Sequence, residues 1–583
     1  MTIAGLLILL VIGLAWLGAI VVSLVGDNRP QAQNALAVGF SLASAAAALL
    51  LLAFVSDAVV IRLVVGGVFG DFTFVADGMG VFLTVVATSI GSLAVIFSTN
   101  YMHGERQLGR YYGLMLAFIG TMAGLVLSHS LLLMFFFWEI TALCSYALIS
   151  FENDNPDAVK GGLKALVITQ IGGVGLLVGA MIAFVNVGSY QFADVLGGAE
   201  SFAPGMLAVM GFGFLLAAAA KSAQVPFHSW LPGAMEAPTP ISALIHAATM
   251  VNAGVYLLAR FFPLFEEVVG WESAVMVVGM TTALLAAIMA LFAFDLKRVL
   301  AYSTVSQLGY MVYAVGVGGV FASQFHLLSH AIFKALLFLG AGAVIHAVHT
   351  RDMRQMGGLG KEMPFTRAVF VIGSLALVGL PIFNGFWSKD MILEVGLADG
   401  PLWSYIVMLI GAGLTAFYSF RMVWMVFYGE KQSEVHAHPA APAMRIAFAP
   451  LAVGATLSGF LVAPFGVMLE ASLPFHHLHI VSLGEMVIHT LEGAVIVMPV
   501  VIIGLAIWGF RRQLSGLTAL ANPLRGPATT DFGFDLLNDG IAGAMRQMSV
   551  GLRNTQTGHL GWNIFGILAG FIAVLIILVL GVD

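Results

Sequence analysis

One cysteine, Cys144, stands in a chain of 583 residues. It lies inside an apolar run and excludes an internal disulfide and any multi-cysteine metal or iron–sulfur site. Charge is scarce as well. Asp, Glu, Lys and Arg make up 9% of the chain, where soluble domains carry about 25%. Net charge is −6, and no basic tract offers itself to nucleic acid. Nucleotide-binding motifs are missing. GGLGKE at 357–362 ends in Gly-Lys but has Glu where a phosphate loop needs Ser or Thr. The glycines near 316–319 lack a strand–GxGxxG–helix context, and no CxxC occurs. No cofactor is expected: nothing in the sequence would hold a nucleotide, flavin or cluster. Energy must come from an ion gradient or from a partner.

What is abundant is apolar surface. Hydrophobic residues make up 60% of the chain, and mean hydropathy is +0.99. The chain reads as an all-α polytopic membrane protein. Apolar windows near ~20 residues fall at 3–25, 34–55, 78–99, 111–127, 130–150, 162–186, 205–224, 240–262, 273–293, 298–317, 322–348, 367–396, 402–428, 446–468, 484–510 and 559–582. About sixteen transmembrane helices are expected. The first window has no basic n-region, so Ile3–Leu24 reads as a retained span rather than a signal peptide.

Basic residues test the count, because cytoplasmic loops are enriched in Lys and Arg. Loops after odd-numbered spans hold 18 of the 24, Lys297, Arg298, Arg351 and Arg354 among them. Loops after even-numbered spans hold Arg62 and Arg260. Both termini are therefore expected on the outer side. The other four, Lys221, Lys334, Lys389 and Arg421, lie within spans.

Two regions are too irregular or polar to span. VVIRLVVGGVFGDFTFV, within 57–76, reads as a short outer-face β-hairpin with Gly-rich turns, the alternative being an irregular loop. Residues 535–557 read as an amphipathic helix lying along the membrane, the alternative being a connecting loop. Four regions follow: 1–110, N-terminal helices with the hairpin; 111–262, a first five-helix repeat; 273–428, a second; and 429–583, C-terminal helices with the amphipathic lateral segment. Five is odd, so the second repeat is inverted relative to the first. The fourth span of each repeat combines lysine with proline: Lys221 with Pro226 and Pro232, and Lys389 with Pro381. Proline removes a helix hydrogen bond and breaks the span. Interrupted segments at matching positions of two halves point to a transport site.

Charge within spans is costly, at least ~2.5 kcal/mol at the bilayer centre, and usually lines an ion path. His326, His330 and Lys334 recur at steps of four and share a helix face. Glu139, in LLLMFFFWEITALCSYALI, has no compensating charge nearby in sequence. Paired with Lys221, it would let both stay ionised, and a proton reaching one would act on the other. The alternative is a structural ion pair. His246 is suited to carrying protons between Lys221 and Lys334, since histidine titrates near neutral pH; a neutral histidine bonded to a carbonyl is the alternative, as for His326 and His330. Lys389, followed by Asp390, reads as a terminal lysine at a membrane exit or as an interfacial ion pair. Arg421 reads as a snorkelling or structural arginine. His436 and His438, and His476, His477 and His479, lie in loops. They lack a clear ligand set, so solvated loops are the better reading and no metal is expected.

FFWEITALCSYALISF, AKSAQVPFHSWLPGAMEAPTPISALIHAATMVNAGVYLLARFFP, SQFHLLSHAIFKALLFLGAGAVIH and PIFNGFWSKDMIL carry a resemblance over about 80–430. The chain resembles the proton-conducting, antiporter-like membrane subunits. That family includes the largest such subunit of respiratory complex I and the A-type subunit of Mrp cation/proton antiporters. The resemblance implies that Glu139 is the carboxylate partner and Lys221 the switching lysine. It makes His246, His326 and His330 a relay, Lys334 the central lysine, and Lys389 with Asp390 the exit. FFWEIT and GGLKALVITQIGGVGLL resemble the Mrp type more closely. The function implied is a proton-translocating subunit of a multisubunit Na⁺/H⁺ antiporter, with no catalytic chemistry of its own. The alternatives are the pumping arm of a redox complex, quinone reductase or hydrogenase, and a subunit of an inorganic-carbon uptake complex. Further membrane subunits are the implied partners, with H⁺ and Na⁺ the ions. The implied site is the bacterial cytoplasmic membrane.

Overall fold

The computed structural model describes residues 2–57, 60–432, 437–509 and 522–553. Among them, 12 helices are long and apolar enough to cross a membrane, from Ile3–Leu24 to Pro442–Glu470. The windows at 298–317 and 484–510 are also helical, as Leu296–Gly316 and Leu483–Gly509. The window at 367–396 is divided into Pro364–Val378 and Asn384–Ala398, 15 residues each. The window at 559–582 lies outside the described residues.

Helix starts follow local chemistry. Pro156, Pro204, Pro364 and Pro442 each open a helix, where the missing N–H has no cost. The Asn155 side chain accepts from Asp157 N at 3.0 Å. Asp295 accepts from Lys297 N and Arg298 N and opens Leu296–Gly316. Small residues let helices meet. A Cβ on Gly279 would sit 2.3 Å from Tyr313 N, so glycine is required where Trp271–Phe292 meets Leu296–Gly316. Close backbone approach at small residues is the usual means of helix association in a membrane.

The expected hairpin is present. Val60–Leu63 pairs antiparallel with Phe72–Val75, with Arg62 opposite Thr73. Asp71 Oδ1 accepts from Val65 N and Gly66 N in the turn. At the same end of the bundle lies a buried ion cluster that the sequence did not announce. Asp77 caps Gly78–Tyr101 and receives both ends of the Arg260 guanidinium, at 2.5 and 2.9 Å. His129 Nε2 stands 3.3 Å from the same carboxylate. Burial alone would raise the Asp77 carboxyl, but Arg260, His129 and the Gly80 N–H outweigh it and hold it below its usual range. Burial pushes the His129 imidazole down to about 4, against the pull of Asp77. Arg260, expected in an outer loop, is instead the last residue of its helix and buried.

Residues 535–583 form a second unit. Its described part is helical, within Phe534–Arg553, with Leu536, Met548 and Val550 exposed. The last four residues of the expected amphipathic segment, 554–557, lie outside the described ones.

Candidate functional site

Two breaks organise the site. The first follows Pro204–Lys221 and places Lys221 as the last helical residue. Carbonyls freed there are taken up locally: Gln224 N donates to Ala219 O at 2.8 Å, and Trp230 Nε1 donates to Ala220 O at 2.9 Å. The second break separates Pro364–Val378 from Asn384–Ala398, with Gly379 at φ +86° and Ile382 at φ +85°. A third interruption was not legible in the sequence. The helix from Thr239 widens to a π-turn at Leu244–Ala248, which contains His246. Thr249 Oγ1 donates to Leu244 O at 2.6 Å, and Asn252 Nδ2 donates to Ala247 O at 2.9 Å. Such π-turns often mark functional sites.

Three lysines are buried along the breaks and between them: Lys221, Lys334 and Lys389, each at most 2% exposed. All three donate to neutral oxygens. Lys221 Nζ donates to Trp138 O at 2.8 Å and lies 4.9 Å from the Trp138 ring. Lys334 Nζ donates to Ser303 Oγ and, at 3.4 Å, to Leu300 O. Lys389 Nζ reaches back across the second break to Leu377 O at 2.7 Å. It stands 5.5 Å from the Tyr310 ring.

Glu139 neighbours Lys221 and Gln170, but the lysine bonds to the backbone of Trp138 and makes no ion pair with the carboxylate within 4.0 Å. Glu139 Oε1 is buried without a hydrogen-bond partner and rests against Gly173, where an added Cβ would stand 2.2 Å away. Asp390 does not share its neighbour's direction, because adjacent helical residues do not face each other. It acts electrostatically on Tyr405.

The histidines differ among themselves. His326 is fully engaged: Nδ1 lies 2.9 Å from Ser388 Oγ and Nε2 3.1 Å from Gln307 Oε1. It therefore bridges Asn384–Ala398 and Leu296–Gly316. Neither ring nitrogen of His330 has a partner, and its ring centroid lies 6.5 Å from that of His326. His246 Nδ1 is likewise buried and unpartnered, with the Phe338 ring 5.9 Å away.

Sequence reasoning assigned Lys297 to a loop. It is buried, and its Nζ donates to Ala237 O. His246 lies within its electrostatic reach. Its position one residue after the Asp295–Leu296 helix start was the available signal. His228, buried in the first break, and Ser303, which holds Lys334, were also missed. Arg421 is structural: its guanidinium donates to Ala290, Leu291 and Ala293 carbonyls and so caps Trp271–Phe292.

The loop histidines divide. His436 lies outside the described residues. His438 packs against His346. His476 Nε2–H donates to Ala259 O at 2.8 Å. With His477 and His479 it lines a cavity of about 610 Å³ that also meets Glu266, Glu394 and Asp399. No group of three His, Cys, Asp or Glu side chains among the described residues is placed to hold a metal ion.

The chain matches two family descriptions. Residues 128–415 match "NADH:quinone oxidoreductase/Mrp antiporter, TM", and residues 63–112 match "NADH-Ubiquinone oxidoreductase (complex I), chain 5 N-terminus". NADH-quinone oxidoreductase subunit L of Mycobacterium tuberculosis is 43% identical over 411 residues. That match covers 69% of this chain and 65% of the relative, a little under two thirds of its length. Subunit L of Pseudomonas aeruginosa is 40% identical over 456 residues, covering 77% of this chain and 74% of that protein. A chain of the Mrp complex from Dietzia sp. DQ12-45-1b has a TM-score of 0.77 at 28% identity, covering 100% of this chain and 63% of that one. A chain of the membrane-bound sulfane sulfur reductase, an archaeal respiratory membrane complex, has a TM-score of 0.71 at 26% identity, covering 84% and 99%. The chain is a multi-pass membrane protein of the antiporter-like, proton-transporting subunit family common to NADH:quinone oxidoreductases and Mrp antiporters.

Proposed function

We propose that this chain is the proton-translocating subunit of a multisubunit Na⁺/H⁺ antiporter in a bacterial cytoplasmic membrane. Protons pass along Lys221, His246, the His326–His330–Lys334 stripe and Lys389, leaving near Asp390. Charge at Glu139 and Lys221 couples this movement to the other ion. One observation carries the reading: three lysines at membrane depth have neutral oxygens as their hydrogen-bond partners. An ionisable residue at membrane depth pairs with another charge or with backbone carbonyls and usually marks an ion path. A proton carrier needs contacts that suit both of its forms, and a carbonyl can accept from an amine as well as, more strongly, from an ammonium.

The two breaks support an inverted repeat over 111–262 and 273–428. In each, a half-helix ends at the break: Pro204–Lys221 ends on Lys221 itself, and Pro364–Val378 offers the Leu377 carbonyl to Lys389. The reading includes sixteen spans, both termini on the outer side, the hairpin on that side, and the amphipathic helix lying laterally. Partner subunits are supported by Glu139. It is only partly buried, between the exposed Phe136 and Leu143, and a carboxylate facing lipid is costly.

Vesicles holding the purified complex test the proposal. A Na⁺ gradient should generate ΔpH without any electron donor, and Lys334→Ala should abolish it while the complex still assembles. No signal from Na⁺, but pumping on addition of NADH or hydrogen, would assign the chain to a redox complex.

A further inference from the structure

His326, His330 and Lys334 lie at steps of four along Val320–Val348. The same step passes Phe338 and Gly342 and arrives at His346, in the last turn of the helix. Each step of four joins neighbours on the helix surface but turns by about 40°, so His346 lies about 120° round the axis from Lys334. Nothing in the path described so far uses His346.

Its surroundings are specific. The ring centroid lies 5.5 Å from that of Tyr101, 6.5 Å from His349 and 5.6 Å from His438. His349 and His438 are exposed, whereas His346 is half-buried and its Nδ1 is buried without a partner. His326, by contrast, has both ring nitrogens engaged. Farther in, Tyr101 OH stands 3.1 Å from Thr239 Oγ1. Thr239 packs against Gly342, where an added Cβ would lie 3.1 Å from it. Thr239 also begins the helix that carries His246 seven residues on, roughly 10 Å along the axis. His246 in turn meets Phe338, one turn from Lys334.

We infer that His346, with His349 and His438 outside it, is the proton-collecting end of the path, on the face opposite the hairpin. These imidazoles take protons from water and pass them by Tyr101 and Thr239 toward His246 and Lys334. The inference rests on the proposed reading that the chain moves protons. Each step moves one proton and no electrons. An imidazolium gives up an N–H, and the next imidazole nitrogen or hydroxyl takes that proton while releasing its own. Water carries it from Thr239 to His246. The titratable groups set against His346 are Tyr101, His349 and His438, with Glu105 and Glu152 acting on Tyr101.

The test uses the complete complex in vesicles of known orientation, so that pH is varied on one face at a time. His346→Asn keeps size and polarity but cannot titrate. A positioned proton-transfer group contributes on the order of 10²-fold or more. Proton uptake from this face should therefore fall at least about tenfold, lose its dependence near neutral pH, and recover in part with added imidazole. Wild-type rate and pH profile in H346N, with Lys334→Ala silent, would overturn the inference and leave the path standing. If Lys334→Ala also transported normally, the underlying reading would fall. Should H346N fail to assemble, the exposed pair His349→Asn with His438→Asn should show a smaller shift of the same profile. An unchanged profile there would overturn the inference equally.

Discussion

Gly173→Ala separates position from stability at Glu139. An added methyl would stand 2.2 Å from Glu139 Oε1 and 3.8 Å from Phe135 Cε2, its next neighbour outside the carboxylate. Ordinary contact begins at 3.4 Å, so the carboxylate must retreat by roughly 1 Å. The end of a flexible side chain can move, and alanine in place of glycine gains about 1 kcal/mol in a helix interior. Folding should therefore be unchanged or slightly improved. Transport should suffer, because a misplacement of about 1 Å can cost on the order of 10²-fold where geometry governs transfer. Na⁺-driven ΔpH in vesicles, read with a pH-sensitive dye, should be at least about tenfold slower, with normal assembly and thermal stability. Glu139→Asp shortens the side chain by one methylene, about 1 Å, and should restore part of the rate in the Gly173→Ala background while impairing the parent. A Gly173→Ala complex with wild-type transport would refute the claim that Glu139 acts through its position. A double variant no faster than Gly173→Ala alone would refute the steric account.

Other expectations concern the buried charges. Asp77→Asn leaves the Arg260 guanidinium, 2% exposed, without its carboxylate and should destabilise the protein by about 3–5 kcal/mol, measured as lost thermal stability in detergent. His129 has a native pKa of about 4 against about 6.5 unfolded. Its contribution is complete above pH 6.5 and is lost as pH falls toward 4, because the unfolded state takes the proton first, at about 1.4 kcal/mol per unit. The difference in stability between wild type and His129→Gln should shrink over that window; a constant difference would reject the assignment. Arg421→Met strips three backbone carbonyls of their donor and should cost about 2–3 kcal/mol, with Arg421→Lys intermediate in the same melting assay.

Apolar windows marked most of the described helices to within a few residues, because a span is a local property of composition and length. The two proline-lysine breaks were legible for the same reason. The stripe of His326, His330 and Lys334 was legible from spacing alone. What escaped was set by contacts distant in sequence. Lys297 belongs to a loop by its neighbours, yet its ammonium turns inward to Ala237 O, 60 residues away. Asp77 and Arg260 are 183 residues apart, and neither flank hints at the other. The π-turn at His246 is paid for by Thr249 and Asn252, ordinary residues in an apolar run. Lys221 was expected to pair with Glu139; the two interact electrostatically, while the hydrogen bond of the lysine goes to the carbonyl of Trp138.

The two half-helices ending at Lys221 and Val378 have a consequence beyond the lysines they serve. Each helix end carries a partial negative charge of about half an electron, met by Gln224 N and Trp230 Nε1 at the first and by Gly379 N and Lys389 Nζ at the second. Both ends point into the protein from opposite faces, so the interior has a negative bias built from backbone. On the proposed reading, side chains set how readily a proton steps along the path, and these helix ends favour positive charge. Replacing acidic residues would slow the protein without making it accept anions.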